Sequence, residues 1–217
     1  LCDMFVETIK GFTLGKKALL KRFVATNPEV ADKYFKQGKD VIILLGHFAN
    51  WEWAVATLYE KFMHQPVVLY KPISNHYIDK YFNKSRSRFG IQLVSIRDTK
   101  EFFIMQKPKP VAVYMIADQF PPVKERQKEV VFFNSVTPFL HGPEKYATML
   151  NIPVLFLDLK RVNRGYYQFS LTELSPEPQN LPENELTQRY ASLLQKSISD
   201  QPESWVWSHK RWKRELY

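Results

Sequence analysis

Apolar and polar positions alternate along this chain on two different periods, and each change of period marks the passage from a short strand to a helix or back. Val41-Ile42-Ile43-Leu44-Leu45 is an unbroken aliphatic run, entered through Gly38-Lys39-Asp40 and left at Gly46, which predicts a buried strand. Ahead of it, Asn27-Pro28 opens a helix over 29–37, with proline in its first turn and Gly38 past its end. Behind it, Ala54, Val55, Leu58 and Phe62 form an apolar stripe that predicts a helix from Trp51 to about Phe62, capped by Asn50. Further strands are expected at 66–70, 91–95, 110–117, 129–133 and 153–160, and further helices at 75–88, 99–106, 141–150 and 185–199. Asn163-Arg164-Gly165 reads as a hairpin turn into a strand over 166–174, and the Pro- and Glu-rich run over 175–185 as a surface connection. No internal repeat or low-complexity tract interrupts the series. The alternation predicts one α/β domain over 1–217, with a central sheet of mixed direction flanked by helices.

Composition agrees with that picture and narrows the partners. At 217 residues and 45% hydrophobic, the chain can bury a full core without external staples. Its single cysteine, Cys2, permits no internal disulfide, which suits a reducing compartment. No apolar stretch reaches the roughly 20 residues that a membrane-spanning helix requires. The 31 lysines and arginines against 22 acids give a formal charge of +9, which draws the chain toward an anionic partner. Nucleic acid, an anionic membrane surface, a phosphorylated lipid and an acidic carrier protein all qualify on charge. Nucleic acid finds no motif in support, because there is no zinc-finger spacing, Walker loop, RNP pattern or Gly-x-Gly-x-x-Gly. No metal-ligand spacing is found either.

The candidate chemistry gathers where strands end. In Gly46-His47-Phe48-Ala49-Asn50-Trp51-Glu52 a histidine and a carboxylate follow directly on the buried strand, at the edge where α/β sheets place ligands. In one regular helix five residues would set His47 and Glu52 roughly 140° apart. The placement expected instead puts His47 in the strand-to-helix turn and Glu52 in the first helical turn, from which its carboxylate can fold back on the imidazole. An imidazole held in one tautomer by a carboxylate is a good general base near neutral pH. From spacing alone a structural histidine is an equal reading. No Gly-x-Ser-x-Gly elbow supplies an internal nucleophile, so the proton donor expected is a substrate hydroxyl.

Four further positions add to this. Asp118 and Gln119 follow the strand over 110–117, on the same edge as His47 if the two strands are parallel; both are also common turn residues. Arg86 and Arg88 close a predicted helix, where the dipole favours cations anyway and where guanidinium forks suit phosphate or an acidic carrier. The tail carries Trp205, Trp207 and Trp212 among His209, Lys210, Arg211 and Lys213. That pattern fits a half-buried strand, or an aromatic and basic interface for a membrane or nucleic acid.

These segments, in order, resemble the bacterial lipid A biosynthesis acyltransferases, the lauroyl and myristoyl transferases of the wider lysophospholipid acyltransferase superfamily. Gly46 to Glu52 is similar to their His-x4-Glu signature. Arg86-Ser87-Arg88, Ala117-Asp118-Gln119, Phe132-Phe133 leading to Thr137 and Gly142, and the ending from Pro202 to Lys213 match in sequence order over nearly the whole chain. The superfamily's glycerolipid branch carries a Phe-Pro-Glu-Gly-type phosphate segment; here Pro138-Phe139-Leu140-His141-Gly142-Pro143-Glu144 departs from it and fits the lipid A branch better. The resemblance implies a glycerolipid-acyltransferase-like fold and O-acyl transfer without a covalent intermediate. His47 and Glu52 would be the base pair, and Arg86, Arg88, Asp118, Gln119, His209 and Arg211 the substrate-binding residues. It implies no cofactor, acyl carrier protein as donor, an anionic phosphorylated glucosamine lipid as acceptor, and a site at the cytoplasmic face of a bacterial inner membrane. It also implies a membrane anchor ahead of Leu1, which makes the chain a fragment without that segment. An acyl-coenzyme A donor, an aminolipid acceptor, or a non-catalytic basic binding module remain open alternatives. Phe102-Phe103 and Phe132-Phe133 suit core packing first and an acyl channel second.

Overall fold

A computed structural model describes residues 2–11, 13–87, 89–122, 127–209 and 211–212. Its strands are β1 (Phe23–Ala25), β2 (Val41–Leu45), β3 (Gln65–Tyr70), β4 (Gln92–Ser95), β5 (Val111–Ile116), β6 (Gln127–Phe132), β7 (Ser135–Leu140), β8 (Val154–Asn163) and β9 (Tyr166–Ser175). Its helices are α1 (Cys2–Gly11), α2 (Lys16–Leu20), α3 (Glu29–Lys36), α4 (Trp51–Thr57), α5 (His76–Ser87), α6 (Thr99–Ile104), α7 (Gly142–Leu150) and α8 (Glu185–Asp200). The class is α/β, with a mixed seven-stranded sheet in the order β1-β9-β8-β2-β5-β3-β4.

The aliphatic run that reads as a buried strand is the middle of this sheet. All five residues of β2 are buried, because parallel strands of β5 and β8 lie on either side of it and helices cover its faces. β2, β5, β3, β4 and β8 run one way; β9 turns back from β8 through Arg164-Gly165, with Gly165 at φ +73, and β1 pairs parallel to β9 at the edge. The expected hairpin is therefore present, with β8 running three residues past its expected end, to Asn163, and β9 starting at Tyr166 as expected. Because β2 and β5 pair in parallel, with Leu45 beside Ile116, the residues following each strand emerge side by side. This register places His47 next to Asp118.

Three local differences from the sequence expectation have physical causes. The helix that starts at Trp51 ends at Thr57 and tightens into a 3₁₀ turn over Leu58–Glu60, so its apolar stripe is shorter than the pattern suggests. A second, two-stranded sheet pairs β6 with β7 through Phe133 and Asn134, both left-handed at φ 50 and 61. Phenylalanine seldom adopts that conformation and Pro138 argues against a strand, so nothing in the sequence signalled β7. The exposed backbone of this hairpin is satisfied from α8: Gln188 bonds both the N–H and the C=O of Val131 at 2.9 Å, and Gln195 accepts from the Phe133 N–H at 2.7 Å. The tail tryptophans do not form a period-two strand; a 3₁₀ turn over Pro202–Ser204 leads into a single bridge between Trp205 and Phe48.

The N-terminal residues, to which no element was assigned from sequence, form α1, α2 and β1. α1 contributes Glu7, which is buried and accepts from the Asn50 side chain and the Tyr167 hydroxyl, each at 2.7 Å. Phe102, Phe103 and Phe132 are core residues, whereas Phe133 is partly exposed. Among the described residues no helix is long and apolar enough to cross a membrane.

Helix α8 begins without a side-chain cap of its own, and Glu144 of α7 takes that place. Its carboxylate accepts from the backbone N–H of Asn184 at 2.7 Å and of Thr187 at 3.1 Å, and from the Thr187 hydroxyl, at the positive end of the helix dipole. Glu144→Ala would leave those buried donors unmatched. Denaturant unfolding should show a loss of about 2–3 kcal/mol with an unchanged m-value; a loss below a few tenths would show that the carboxylate does not cap this helix.

Candidate active site

His47 sits in the turn between β2 and α4, and its surroundings over-determine its position. Its C=O accepts from the Val206 N–H at 3.1 Å, and the next amide but one, Ala49 N–H, donates to the Ser204 C=O at 2.7 Å. Ala49 holds a left-handed φ of 48, a strained conformation for a residue with a Cβ. Asn50 caps α4 by accepting from the Trp53 N–H at 2.9 Å while its amide group is held by Glu7. The ring of Trp51 stands edge-on to the imidazole with centroids 5.1 Å apart.

The carboxylate that meets the imidazole is Asp118. His47 Nδ1 lies 2.6 Å from Asp118 Oδ1, and Asp118 Oδ2 accepts both the His47 backbone N–H and the Trp205 indole N–H at 2.8 Å. Asp118 is 2% exposed. Burial alone would raise its pKa, but the bond from the His47 ring and the charge that ring can carry, with the bonds from Trp205 and from the His47 amide, outweigh it and leave the carboxyl below the ordinary aspartate value. An ionised carboxylate only accepts, so the shared proton belongs to His47 Nδ1, and whenever the ring holds that proton alone the lone pair is on Nε2. That side chain is 20% exposed, and the Gln119 amide nitrogen stands 3.5 Å from Nε2, a contact long enough for an incoming hydroxyl to displace.

Glu52 does not fold back on the imidazole as expected. It lies in the first turn of α4, and Arg86 of α5 takes its carboxylate with both Nε, at 3.0 Å, and Nη2. A planar guanidinium fork matches both carboxylate oxygens, whereas His47 is already served by the neighbouring parallel strand. Burial would lower the Arg86 pKa, but the bonds with Glu52 prevail and raise it. Arg88 lies outside the described residues.

His209 and Arg211 both bond within the protein. His209 Nε2 accepts from the Phe120 N–H at 2.9 Å, bracing the loop just after Gln119. Arg211 is 2% exposed, donates to the Pro138 C=O at 2.5 Å and lies 4.3 Å over the Phe139 ring; burial is the main reason its pKa falls to about 10. Among the described residues of the tail, Trp205, His209, Arg211 and Trp212 strap the β2 and β5 turns to the β6–β7 hairpin, with Trp212 donating to the Thr137 hydroxyl at 3.1 Å, while Trp207 stays exposed. The strand and interface readings of the tail both missed the hydrogen bond from Trp205 to Asp118. Sequence reasoning also missed why residue 46 is glycine: a Cβ there would stand 2.7 Å from Leu194 Cδ1 and 3.3 Å from Asp118 Oδ2. Among the described residues no group of acids, histidines or cysteines could hold a metal ion.

A neutral imidazole with one nitrogen tied to a buried carboxylate and the other open is the arrangement of a general base that acts on a hydroxyl or thiol. A family model of bacterial lipid A biosynthesis acyltransferases matches residues 1–214, essentially the whole chain. The chain belongs to that family and is an acyltransferase. A search of curated proteins returned no match.

Gly46→Ala should push the Asp118 carboxylate and Leu194 apart, with a loss of about 1–3 kcal/mol; an activity equal to wild type would show that the close approach is not needed. Asp118→Asn turns one acceptor oxygen into a donor facing an N–H. The depressed carboxyl contributes stability that is fully present above the ordinary aspartate range and is lost as pH falls through the lower folded value. The stability of Asp118→Asn should therefore vary less between neutral and strongly acid pH than that of the wild type, as read by denaturant titration at each pH.

Proposed function

We propose that this acyltransferase moves a fatty acyl chain from an acyl carrier protein thioester to a hydroxyl of a lipid A precursor, with His47 as general base and Asp118 as the carboxylate that orients it. The observation that carries this reading is the 2.6 Å contact between His47 Nδ1 and the buried Asp118, which leaves Nε2 as the basic atom. Nε2 takes the proton of the acceptor hydroxyl as its oxygen attacks the thioester carbonyl. The tetrahedral oxyanion collapses, the carbon–sulfur bond breaks, and the imidazolium returns the proton to the thiolate. Asp118 stays ionised throughout and stabilises the imidazolium. Gln119, beside Nε2, is placed to donate its amide N–H to an oxygen of the reacting groups. No enzyme nucleophile is needed, so no acyl-enzyme forms. The Glu52–Arg86 pair joins the start of α4 to α5, and its guanidinium is assigned to the acceptor's negative charge. The acceptor's phosphate is matched to the chain's formal +9, and the donor is matched to it through the acidity of the carrier.

Mass spectrometry of lipids after incubation with acyl carrier protein thioesters and a tetra-acylated lipid A precursor should show one added acyl chain. His47→Ala should lower the rate by about 10³-fold or more with the fold intact, and Asp118→Asn should approach that loss because the ring would take the wrong tautomer. Glu52→Gln should raise KM more than it lowers kcat and leave the acid limb of the pH–rate profile in place. If Glu52→Gln displaces that limb and Asp118→Asn does not, Glu52 is the partner of the base and the assignment made here is wrong.

A further inference from the structure

Helix α5 buries none of its residues, yet it carries Tyr77, Ile78 and Tyr81 at 84%, 47% and 56% exposure, with Ile73 at 40% in the loop before it. At about 100° per residue, Tyr77, Tyr81, Lys80 and Lys84 fall on one side of the helix, with Ile78 at its margin, while Asp79, Phe82 and Arg86 fall on the other. The inner side accounts for the acids. Asp79 accepts from the Ile73 N–H at 2.8 Å and from the Asn83 amide at 2.9 Å, and Arg86 is spent on Glu52. The outer side is therefore tyrosines and an isoleucine between lysines, with Lys71 also exposed at its approach.

The location matters as much as the composition. The loop into α5 leaves the carboxyl end of β3, and β3 is the parallel neighbour of β5, which delivers Asp118. At about 4.8 Å per strand, the carboxyl end of β3, from which that loop departs, lies about 10 Å along the sheet edge from the carboxyl end of β2, which carries the His47 turn.

We propose that the outer side of α5, with the loop at Ile73, is a docking surface for an anionic lipid bilayer, seating the His47 edge of the sheet on the membrane from which an acceptor lipid enters. Tyrosine rings and isoleucine side chains at this density suit the headgroup boundary, where an amphipathic ring is favoured, and the lysines extend to anionic headgroups while their stems lie on the apolar surface. An acidic protein would match the lysines but would gain nothing from a row of exposed Tyr77, Ile78 and Tyr81. This rests on the lipid-acceptor reading given above for its biological sense, but its binding test does not.

The full chain should sediment with vesicles of phosphatidylethanolamine and phosphatidylglycerol, and much less with vesicles of phosphatidylcholine alone. Tyr77→Ser, Ile78→Ser and Tyr81→Ser combined should weaken binding about tenfold or more, as should Lys80→Glu with Lys84→Glu, whereas Tyr77→Phe with Tyr81→Phe should bind as the wild type does. Circular dichroism and thermal unfolding equal to wild type would confirm that the variants are folded. In detergent micelles the serine variant should transfer acyl chains at the wild-type rate, and on vesicle-borne acceptor it should lose activity in step with binding. Unchanged vesicle binding in the serine and glutamate variants overturns the proposal, as does a loss of acyl carrier protein binding with vesicle binding intact. Sedimentation needs no substrate, so a wild type that binds vesicles through α5 but transfers nothing would sink the functional reading and leave this one standing.

Discussion

A single buried carboxylate joins the parts of this protein that must meet for chemistry. Asp118 ends β5, but its two oxygens are used by the backbone and ring of His47, at the end of β2, and by the indole of Trp205, nearly ninety residues further along the chain. A charge removed from water is costly unless every lone pair finds a donor, and here three donors converge on it. The site is consequently also a structural joint. Its electrostatics settle the tautomer of the imidazole, and its geometry needs the missing side chain at Gly46 and the strained backbone at Ala49.

Around this joint the C-terminal segment acts as a strap rather than as an extra strand. Ser204, Trp205 and Val206 hold the His47 turn by backbone and indole bonds, His209 holds the loop at Phe120, and Arg211 and Trp212 reach the β6–β7 hairpin. On the other side Glu7 of α1 fixes Asn50, and so the start of α4. Elements from both ends of the chain thus hold one turn of seven residues. Rigidity of this kind is what a general base requires, since proton transfer is sensitive to displacements well below an ångström.

The Glu52–Arg86 pair shows how residues of one motif can be divided between tasks. His47 and Glu52 are close in sequence, but the helix that starts between them turns Glu52 toward α5, where a guanidinium offers it two bonds at once. The motif then supplies the base proposed above on one side and, on the other, an ion pair that ties α4 to α5. α5 in turn sinks no residue fully into the core, and that ion pair is one of the contacts that attach it.

Residue pattern alone determined a good deal. The aliphatic run of β2, the apolar stretch of β5, the Asn50 cap and the Arg164-Gly165 hairpin were legible because period, capping and turn chemistry are local, and the strand ends named His47 and Asp118 as residues of one edge. Family membership was legible for the same reason, since it rests on residues in order along the chain. What stayed hidden was decided across distance in space. Spacing offered Glu52 as the partner of His47, whereas parallel register between β2 and β5 delivered Asp118, and no one-dimensional pattern encodes which strands are neighbours. The left-handed Phe133-Asn134 turn, the indole bond of Trp205 and the burial of Arg211 against Phe139 all depend on partners far along the chain. Local sequence sets which residues can carry charge or protons; only the packed sheet and its strap decide which of them touch.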